Sequence, residues 1–310
     1  MINSHTLVSA TFDSIGMCFD PTLALLNHSC SPNAAIVFDG NFASIRSIRD
    51  IAQGEQVTIS YIDNTYKRST RRGQLCKGYF FQCQCSGCVP PDNIFLARDS
   101  FLCENTTCKS LIPEPGLSNA FSCPKCQTTQ SLSLDSLRSL EVKSLQVLEE
   151  TSIPIPTQHI STLLNSILLP TLATLTSCPQ WPPTRQPAPS LRRRIYELAL
   201  NTANYQAAFH HSNVLSSPPL IDLHPEPFHP LKTVRVLTTA SLIALLAAQE
   251  NNVEYLKRAW ELLRECWGLV RGSHGEESKF AKEVAAKRGE VEVDLSMGGE
   301  DLRRWMRMNS

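Results

Sequence analysis

One stretch near the N-terminus of this 310-residue chain decides how the rest is interpreted: Leu26-Asn27-His28-Ser29-Cys30-Ser31-Pro32-Asn33. A second motif, Gly-Glu-Gln-Val-Thr-Ile-Ser-Tyr, follows at 54–61, and a third contains Cys83, Cys85 and Cys88. The first motif is dense in hydrogen-bonding side chains. The second alternates apolar and polar residues as a half-buried strand does. Each of the three carries residues suited to binding rather than to core packing alone.

The third motif is typical of a metal site. Zn²⁺ in structural sites takes four ligands in a tetrahedron, about 2.3 Å from each sulfur. Cys83, Cys85 and Cys88 supply three ligands, so a fourth must come from elsewhere, and spacing alone does not identify it. The alternative is a set of buried free thiols.

Four further cysteines form two close pairs, Cys103-x4-Cys108 and Cys123-x2-Cys126. Two close pairs bridged by a loop are typical of a zinc ribbon. Reduced thiols, or a site that has been lost, are the alternatives. The remaining cysteines have no partner at metal spacing, and we expect them to be ordinary buried small residues: Cys18, Cys76, Cys178 and Cys266.

Composition excludes several classes of protein. Lys+Arg and Asp+Glu balance at 29 each, which argues against direct nucleic-acid binding because a basic surplus is absent. The first residues contain no signal-peptide pattern, so we expect an intracellular chain with its cysteines reduced or metal-bound. The apolar stretch Val234–Ala248 is interrupted by polar residues, and we expect it to be too short to cross a bilayer.

Periodicity predicts an α+β chain in three parts. Residues 1–92 read as β-rich, with Asp39-Gly40 predicting a hairpin between 34–38 and 42–48, and a strand at 57–61. Residues 93–130 form the cysteine linker. Residues 131–310 read as helical, with Pro/Ser/Thr-rich loops at 152–190 and 213–230.

Helices are expected at 66–75, 134–150, 163–175, 190–208, 230–249 and 252–271. Ser273 with Glu276 has the spacing of a capping box for one more helix. Two basic runs are expected to lie on solvated helix faces: Lys67, Arg68, Arg71 and Arg72, and Arg192, Arg193 and Arg194. A contact with nucleic acid or a histone tail is the alternative for both.

Taken in order, the three motifs resemble the second half of a SET domain and its post-SET segment. The cysteine linker and helical remainder are similar to the SET-and-MYND family of protein lysine methyltransferases. Pro227-Phe228-His229-Pro230 and His274-Gly275-Glu276 also resemble stretches of that family's helical region, where a tetratricopeptide-like arrangement is expected, although no 34-residue repeat consensus is present.

The resemblance implies a role for each motif. Asn27 and His28 would contact S-adenosylmethionine, with Phe81 beside its adenine and Asn3 as a further polar contact. Tyr61 would be the catalytic tyrosine, and Tyr79 would line the lysine channel. Cys30 would be the fourth zinc ligand beside Cys83, Cys85 and Cys88.

By the same resemblance, the partner is a protein substrate with a target lysine, histone or non-histone, and the chain is a monomer of nucleus or cytoplasm. The family's MYND finger and N-terminal SET strands have no counterpart upstream of the first motif. We therefore expect these 310 residues alone to bind S-adenosylmethionine weakly or not at all. Either the chain is a partial methyltransferase, or it is a catalytically silent, zinc-stabilised interaction module.

Overall fold

The computed structural model describes residues 5–8, 14–18, 20–40, 42–89, 93–114, 121–153, 155–297 and 308. The chain divides into two compact units: residues 1–61 with 224–310 form unit 1, and residues 62–223 form unit 2. This division is by compactness, and the boundaries 1–92, 93–130 and 131–310 stay a prediction.

The described strands are β1 (His5–Val8), β2 (Ser14–Cys18), β3 (Asn27–His28), β4 (Ala34–Asp39), β5 (Phe42–Ser47), β6 (Thr58–Ile59), β7 (Ser100–Leu102) and β8 (Leu111–Pro113). The described α-helices are α1 (Arg68–Tyr79), α2 (Asn93–Arg98), α3 (Leu134–Glu150), α4 (Thr157–Leu163), α5 (Leu169–Ser177), α6 (Ala188–Asn201), α7 (Tyr205–Leu215), α8 (Pro230–Glu250), α9 (Val253–Ser273) and α10 (Lys279–Met297). A π-helical turn, Leu164–Leu168, joins α4 to α5.

The described residues of unit 1 form three strand pairs. β1 and β2 are antiparallel, β4 and β5 are antiparallel, and β3 lies parallel to β6. The β4–β5 hairpin pairs Ala34 with Ser47 and Asp39 with Phe42, which confirms the predicted hairpin. Gly40 in its turn has φ +64°, a conformation that glycine adopts without steric cost. The predicted strand at 57–61 is shorter, since only Thr58 and Ile59 pair.

The helices of unit 1 are successive and joined by short connections. Asn251, directly after α8, adopts the left-handed conformation (φ 51°) and caps the C-terminus of that helix. Asn252 caps the N-terminus of α9 by accepting the amides of Glu254 and Tyr255. The helix predicted at 252–271 is confirmed as α9, and it buries Trp260, Leu263, Cys266 and Val270.

Two helical segments, 157–177 and 230–250, are long and apolar enough by length and composition to cross a membrane. The expectation that the apolar stretch within α8 is too short was therefore wrong on length. Such a test is weak evidence, because a core helix passes it too. In α8, Val236, Ala240 and Ile243 are at most 3 % exposed, as expected of a core helix.

The hairpin of unit 1 is held by residues more than 200 positions away in the sequence. The Arg46 guanidinium donates to the carbonyls of Arg271 and Gly272, each at 3.2 Å. The Lys279 amide donates to the Asp39 carboxylate at 3.1 Å. The β4–β5 hairpin is thus packed against α9 and the start of α10.

Unit 2 has its own core of leucines and aromatic residues. Phe101, Leu137, Leu168, Leu175 and Leu191 are fully buried and belong to one cluster. They come from β7, α3, α6 and the segment around α5, so the core ties the cysteine linker to the helices that follow it.

A buried ion network runs beside this core. Arg185 places Nη2 2.9 Å from a carboxylate oxygen of Glu114 and 2.9 Å from one of Glu141. Lys67 lies 2.9 Å from Glu141, and Arg138 lies 2.8 Å from Glu114. Burial alone would raise the pKa of Glu114, but hydrogen bonds from Arg138 and Arg185 outweigh it and lower that pKa below its usual value.

Three local predictions were wrong. The helix expected at 190–208 is two helices, because the chain turns at Ala203, where φ is +53°. Ser273 does not cap α10: it is buried, and its hydroxyl contacts Thr233, while Ser278 accepts the Ala281 amide at 3.0 Å. Cys76 is exposed rather than buried.

Candidate methyltransferase site and zinc sites

Parallel pairing of β3 with β6 brings the first two motifs together. Asn27 lies opposite Thr58 and His28 opposite Ile59, and the Ser29 amide continues the ladder by donating to the Ile59 carbonyl at 2.9 Å. Two residues after β6, Tyr61 lies beside His28, with their ring centroids 5.3 Å apart. Three residues selected from the sequence therefore lie close together.

The His28 imidazole is the link in this arrangement. Its Nδ1 accepts the Tyr61 amide at 3.0 Å, and its Nε2 lies 3.3 Å from the Cys30 sulfur. Because Nδ1 accepts, the neutral ring carries its proton on Nε2 and donates it towards Cys30. Both ring nitrogens are engaged by protein atoms. A cofactor contact by His28 would therefore use its backbone.

The Tyr61 hydroxyl donates to the Leu26 carbonyl. This bond fixes the position of the phenol oxygen next to the start of β3. A phenol that gives its proton to one acceptor keeps an oxygen that can receive a hydrogen bond from an amine.

Asn33, the last residue of the first motif, joins it to the turn of the second. Its side-chain amide donates to the Glu55 carboxylate at 3.0 Å and to the Gln56 carbonyl at 2.9 Å. Its side-chain oxygen, Oδ1, accepts the Thr58 amide at 2.8 Å. No role was predicted for Asn33 from the sequence, although its place in the motif was a usable signal.

Glu55 completes that junction. Its carboxylate accepts from Arg49 at 2.7 Å and from the Ala52 amide at 3.0 Å. The Arg49 hydrogen bond, then the Ala52 amide and Asn33, hold the pKa of Glu55 at about 2. The turn before β6 is thus organised around one ionised carboxylate.

The Cys83–Cys88 loop of unit 2 is a tight knuckle. The amides of Cys88 and Val89 both donate to the Cys85 carbonyl, at 2.8 and 2.9 Å. Cys83 and Cys88 are buried and Cys85 is half-buried. Backbone amides that hold a cysteine loop in a tight turn bring its thiols close together, as a metal site requires. The identity of the fourth ligand stays a prediction.

Arg71 departs furthest from its sequence-based expectation. It was expected on a solvated face, yet it is fully buried. Its guanidinium donates to the carbonyls of Tyr66 and Gly87, the latter at 2.9 Å, and lies 3.9 Å from the Cys88 sulfur. Arg72 donates to the Cys83 carbonyl at 3.2 Å. Two residues of the basic run therefore hold the cysteine loop.

The aromatic residues before this loop lie at the end of α1. Phe80 ends the helix in a left-handed conformation with φ 60°, and Tyr79 and Phe81 on either side of it are half-buried. Asn3 lies outside the described residues. The binding roles of Tyr79 and Phe81 stay predictions.

The second cysteine set has the geometry of a zinc site. The sulfurs of Cys103 and Cys126 are 3.6 Å apart, and those of Cys108 and Cys123 are 3.7 Å apart. A tetrahedron of sulfurs about 2.3 Å from zinc has edges of about 3.8 Å. All four ligand atoms lie within 4.8 Å of one another.

Two similar knuckles build this set. In the first, the amides of Cys108 and Lys109 donate to the Asn105 carbonyl. In the second, the Gln127 amide donates to the Cys123 carbonyl at 2.9 Å. Lys109 and Gln127, each directly after the second cysteine of its pair, have positive φ of 44° and 60°. The left-handed residue turns the chain away after each ligand.

Hydroxyl groups surround these sulfurs. Ser110 lies 3.0 Å from the Cys123 sulfur and lowers the pKa of that thiol to about 6. Thr128 lies 3.1 Å from the Cys126 sulfur and lowers its pKa also. Burial raises the pKa of Cys103 to about 11. Four thiolates around one Zn²⁺ carry a net negative charge, which such donors stabilise.

Comparison of the sequence with known proteins supports the resemblance to SET domains. Residues 4–62 match the SET domain family. Over 87 residues the chain is 51 % identical to SET domain and MYND-type zinc finger protein 6 of Schizosaccharomyces pombe, covering 28 % of this chain and 18 % of the relative.

Two further relatives extend the comparison. Histone-lysine N-methyltransferase ASHR1 of Arabidopsis thaliana is 25 % identical over 299 residues, 95 % of this chain and 59 % of the relative. Human histone-lysine N-methyltransferase SMYD3 is 42 % identical over 90 residues, 29 % of this chain and 21 % of the relative. The chain is thus similar to SET-and-MYND proteins over part of its length, and it spans between about a fifth and three fifths of the length of these relatives.

Proposed function

We propose that this chain is part of an S-adenosylmethionine-dependent protein-lysine N-methyltransferase. The observation that carries the proposal is the pairing of β3 with β6, which places Asn27, His28 and Tyr61 in one locality. The relatives named as lysine methyltransferases support the same reaction class. The target lysine lies on a histone or another protein.

S-adenosylmethionine supplies a methyl group on a sulfonium, which an amine displaces. In our proposal the exposed Asn27 side chain and the His28 backbone contact it, with Phe81 near its adenine and Asn3 as a further contact. The engaged ring nitrogens of His28 fit this assignment, since the ring then positions protein groups while the backbone faces the ligand.

Tyr61 acts by orientation. Methyl transfer needs a neutral lysine amine aligned with the methyl group, and most of the acceleration comes from alignment in a preorganised polar site. The phenol donates to the Leu26 carbonyl, and the backbone amide of Tyr61 donates to His28, so the side chain is held in place. Its oxygen accepts a hydrogen bond from the lysine amine and so directs the nitrogen lone pair towards the methyl group. Tyr79 bounds the lysine channel.

We further propose that the chain holds two zinc ions. One is bound by Cys103, Cys108, Cys123 and Cys126, and the sulfur spacings of that set support it. The other is bound by Cys83, Cys85 and Cys88, with Cys30 as fourth ligand. The buried Cys30 sulfur receives a hydrogen bond from His28, as a zinc-bound thiolate would.

The helical remainder completes the proposal. Short connections in α6–α7 and α8–α9 support tetratricopeptide-like helical hairpins, a scaffold suited to protein partners. We propose a monomer acting in the nucleus or cytoplasm.

The test is methyl transfer from radiolabelled S-adenosylmethionine to histones and to a lysate, using the longest polypeptide that the gene encodes around these residues. Tyr61→Phe should reduce turnover strongly while calorimetry shows little change in cofactor affinity. Tyr255→Phe on α9, which also removes one phenol hydroxyl, is the matched control and should leave turnover unchanged.

The outcomes separate the two functions considered. Equal rates in both variants would reduce Tyr61 to a packing residue. A wild-type polypeptide that neither binds S-adenosylmethionine nor transfers methyl groups would favour the interaction module instead.

A further inference from the structure

A third group of metal-ligating side chains lies in unit 1, in the segment that leads into α8. Its sequence is His224-Pro225-Glu226-Pro227-Phe228-His229-Pro230. The ligand atoms of His224, Glu226 and His229 all lie within 4.8 Å of one another. Neither the cysteine motifs nor the proposed methyl transfer uses these side chains.

The backbone explains why they converge. Prolines fix φ and keep this segment from forming a helix or joining a ladder. His224 and Glu226, two residues apart, can share one side of such a chain. The His229 amide then donates to the Glu226 carbonyl at 3.3 Å, which closes a turn and brings the third side chain back.

The segment is also anchored through Phe228, which lies within that turn. The Phe228 amide donates to the Ile48 carbonyl at 3.2 Å. The Phe228 ring lies directly over Gly272, where an added Cβ would come within 2.2 Å of the ring. The turn is therefore held in place by the hairpin and by α9, and the three side chains are preorganised.

Ring geometry and burial point to a built site. The His224 and His229 rings are stacked, 3.9 Å between centroids and 16° from parallel. His224 is 3 % exposed and Glu226 is 6 % exposed. A carboxylate buried beside two imidazoles is an environment that favours a divalent cation, because the cation offsets the cost of removing the charge from water.

We propose that His224, Glu226 and His229 bind a divalent transition-metal ion, zinc by the chemistry of the ligands. Two imidazoles and one carboxylate form a known three-ligand set for zinc, which leaves a fourth position for water or another ligand. Tetrahedral ligands about 2.1 Å from the metal lie about 3.4 Å apart, so binding needs the side chains to rotate inwards slightly.

One of the three side chains borders a cavity. His229 is half-buried and lines a space of about 370 Å³ shared with β4, the first turns of α8 and the start of α10. His224 and Glu226 do not line it. A metal held by the two buried ligands would thus reach solvent only on the His229 side.

Metal binding would change one hydrogen bond. His229 Nδ1 now caps α8 by accepting the Leu231 amide at 3.3 Å. A neutral imidazole that binds metal through Nε2 carries its proton on Nδ1, and one that binds through Nδ1 has no lone pair left there. Either way the Leu231 amide loses its acceptor when the metal binds.

The experiment uses cobalt as the probe. The whole chain is first loaded with two equivalents of Zn²⁺, which the two thiolate sites bind in preference to a site of two imidazoles and a carboxylate, and is then titrated with Co²⁺ while its visible spectrum is recorded. We expect one saturable equivalent with nitrogen and oxygen ligation, lacking the thiolate charge-transfer band, and faster hydrogen exchange at Leu231 when it is bound.

The variants are chosen to keep the fold. Glu226→Gln preserves volume, and His229→Asn keeps a residue that caps helices well. Both should lose the cobalt signal, whereas His159→Asn, at an exposed histidine on α4, should retain it. Thermal melting checks that each variant is folded.

Two results would overturn the proposal. One is a wild-type chain that takes up no cobalt beyond its thiolate sites. The other is a signal that survives in folded Glu226→Gln, which would leave the three side chains as a hydrogen-bonded cluster without a metal.

Discussion

Replacing Arg185 with methionine should destabilise unit 2 by about 3–5 kcal/mol, the usual cost of removing one partner from a buried ion pair. Its side chain is 1 % exposed and donates to two carboxylates at 2.9 Å each. A hydrogen bond to a charged group contributes about 1.5–3 kcal/mol, so two of them account for a loss of this size.

Arg138→Met is the matched control. Arg138 also pairs with Glu114, at 2.8 Å, but its side chain is 36 % exposed. An exposed pair contributes about 0–1 kcal/mol, so the same substitution should cost much less here.

The assay is urea-dependent hydrogen exchange, read by mass spectrometry on peptides from 98–114 and 134–150. This localises the effect to unit 2, which a whole-chain melt of a two-unit protein would not do. Adding Glu141→Gln to Arg185→Met should recover part of the loss, since it removes a buried charge that has lost one partner. If Arg185→Met unfolded no more readily than Arg138→Met, the buried ion pairs would contribute no more to stability than an exposed pair does. That result would refute the reasoning.

Three further outcomes are expected. Cys123→Ser should remove one zinc per chain in elemental analysis, whereas Cys178→Ser, at a buried thiol outside both cysteine sets, should remove none. Arg71→Met should speed hydrogen exchange across the Cys83–Cys88 loop, because two carbonyl acceptors and a sulfur lose their donor, while Lys77→Met on the exposed side of the same helix should not. Burial, with a smaller effect of Arg46, lowers the pKa of His274 from 6.5 to about 4, so the folded protein holds this ring neutral. Its contribution to stability is then complete above pH 6.5 and is lost as the pH falls towards 4, and His274→Gln should flatten the pH dependence of the urea midpoint in that window. An unchanged slope would mean that the ring is protonated in the fold.

Short sequence patterns predicted the helices, hairpin and cysteine knuckles that depend only on neighbouring residues. The hairpin followed from Gly40, because glycine adopts the φ of +64° that its turn requires without steric cost. Helices α3, α8 and α9 followed from apolar periodicity, and their bounds differ from the expected ones by two residues or fewer. The convergence of Cys103, Cys108, Cys123 and Cys126 followed from their spacing, since two knuckles need only short stretches of chain to form.

The errors share a different cause. Arg71 looks like any arginine on a polar helix, and only the folded cysteine loop supplies the carbonyls that make its burial favourable. Ser273 has the spacing of a capping residue, but its hydroxyl hydrogen-bonds to the buried Thr233, forty residues earlier. His224 and Glu226 carried no signal apart from their prolines, because their convergence depends on a turn held by distant Ile48.

Unit 1 is assembled from the two ends of the chain, and this sets the order in which it can form on the ribosome. The β4–β5 hairpin emerges early, but Arg271, Gly272 and Lys279, whose backbone groups hold it, are synthesised more than 200 residues later. All of unit 2 leaves the exit tunnel in between and can fold first. A polypeptide ending at 223 would keep Asn27, His28 and Tyr61 in its sequence and still lack the helices of unit 1, on which their half of the fold is built.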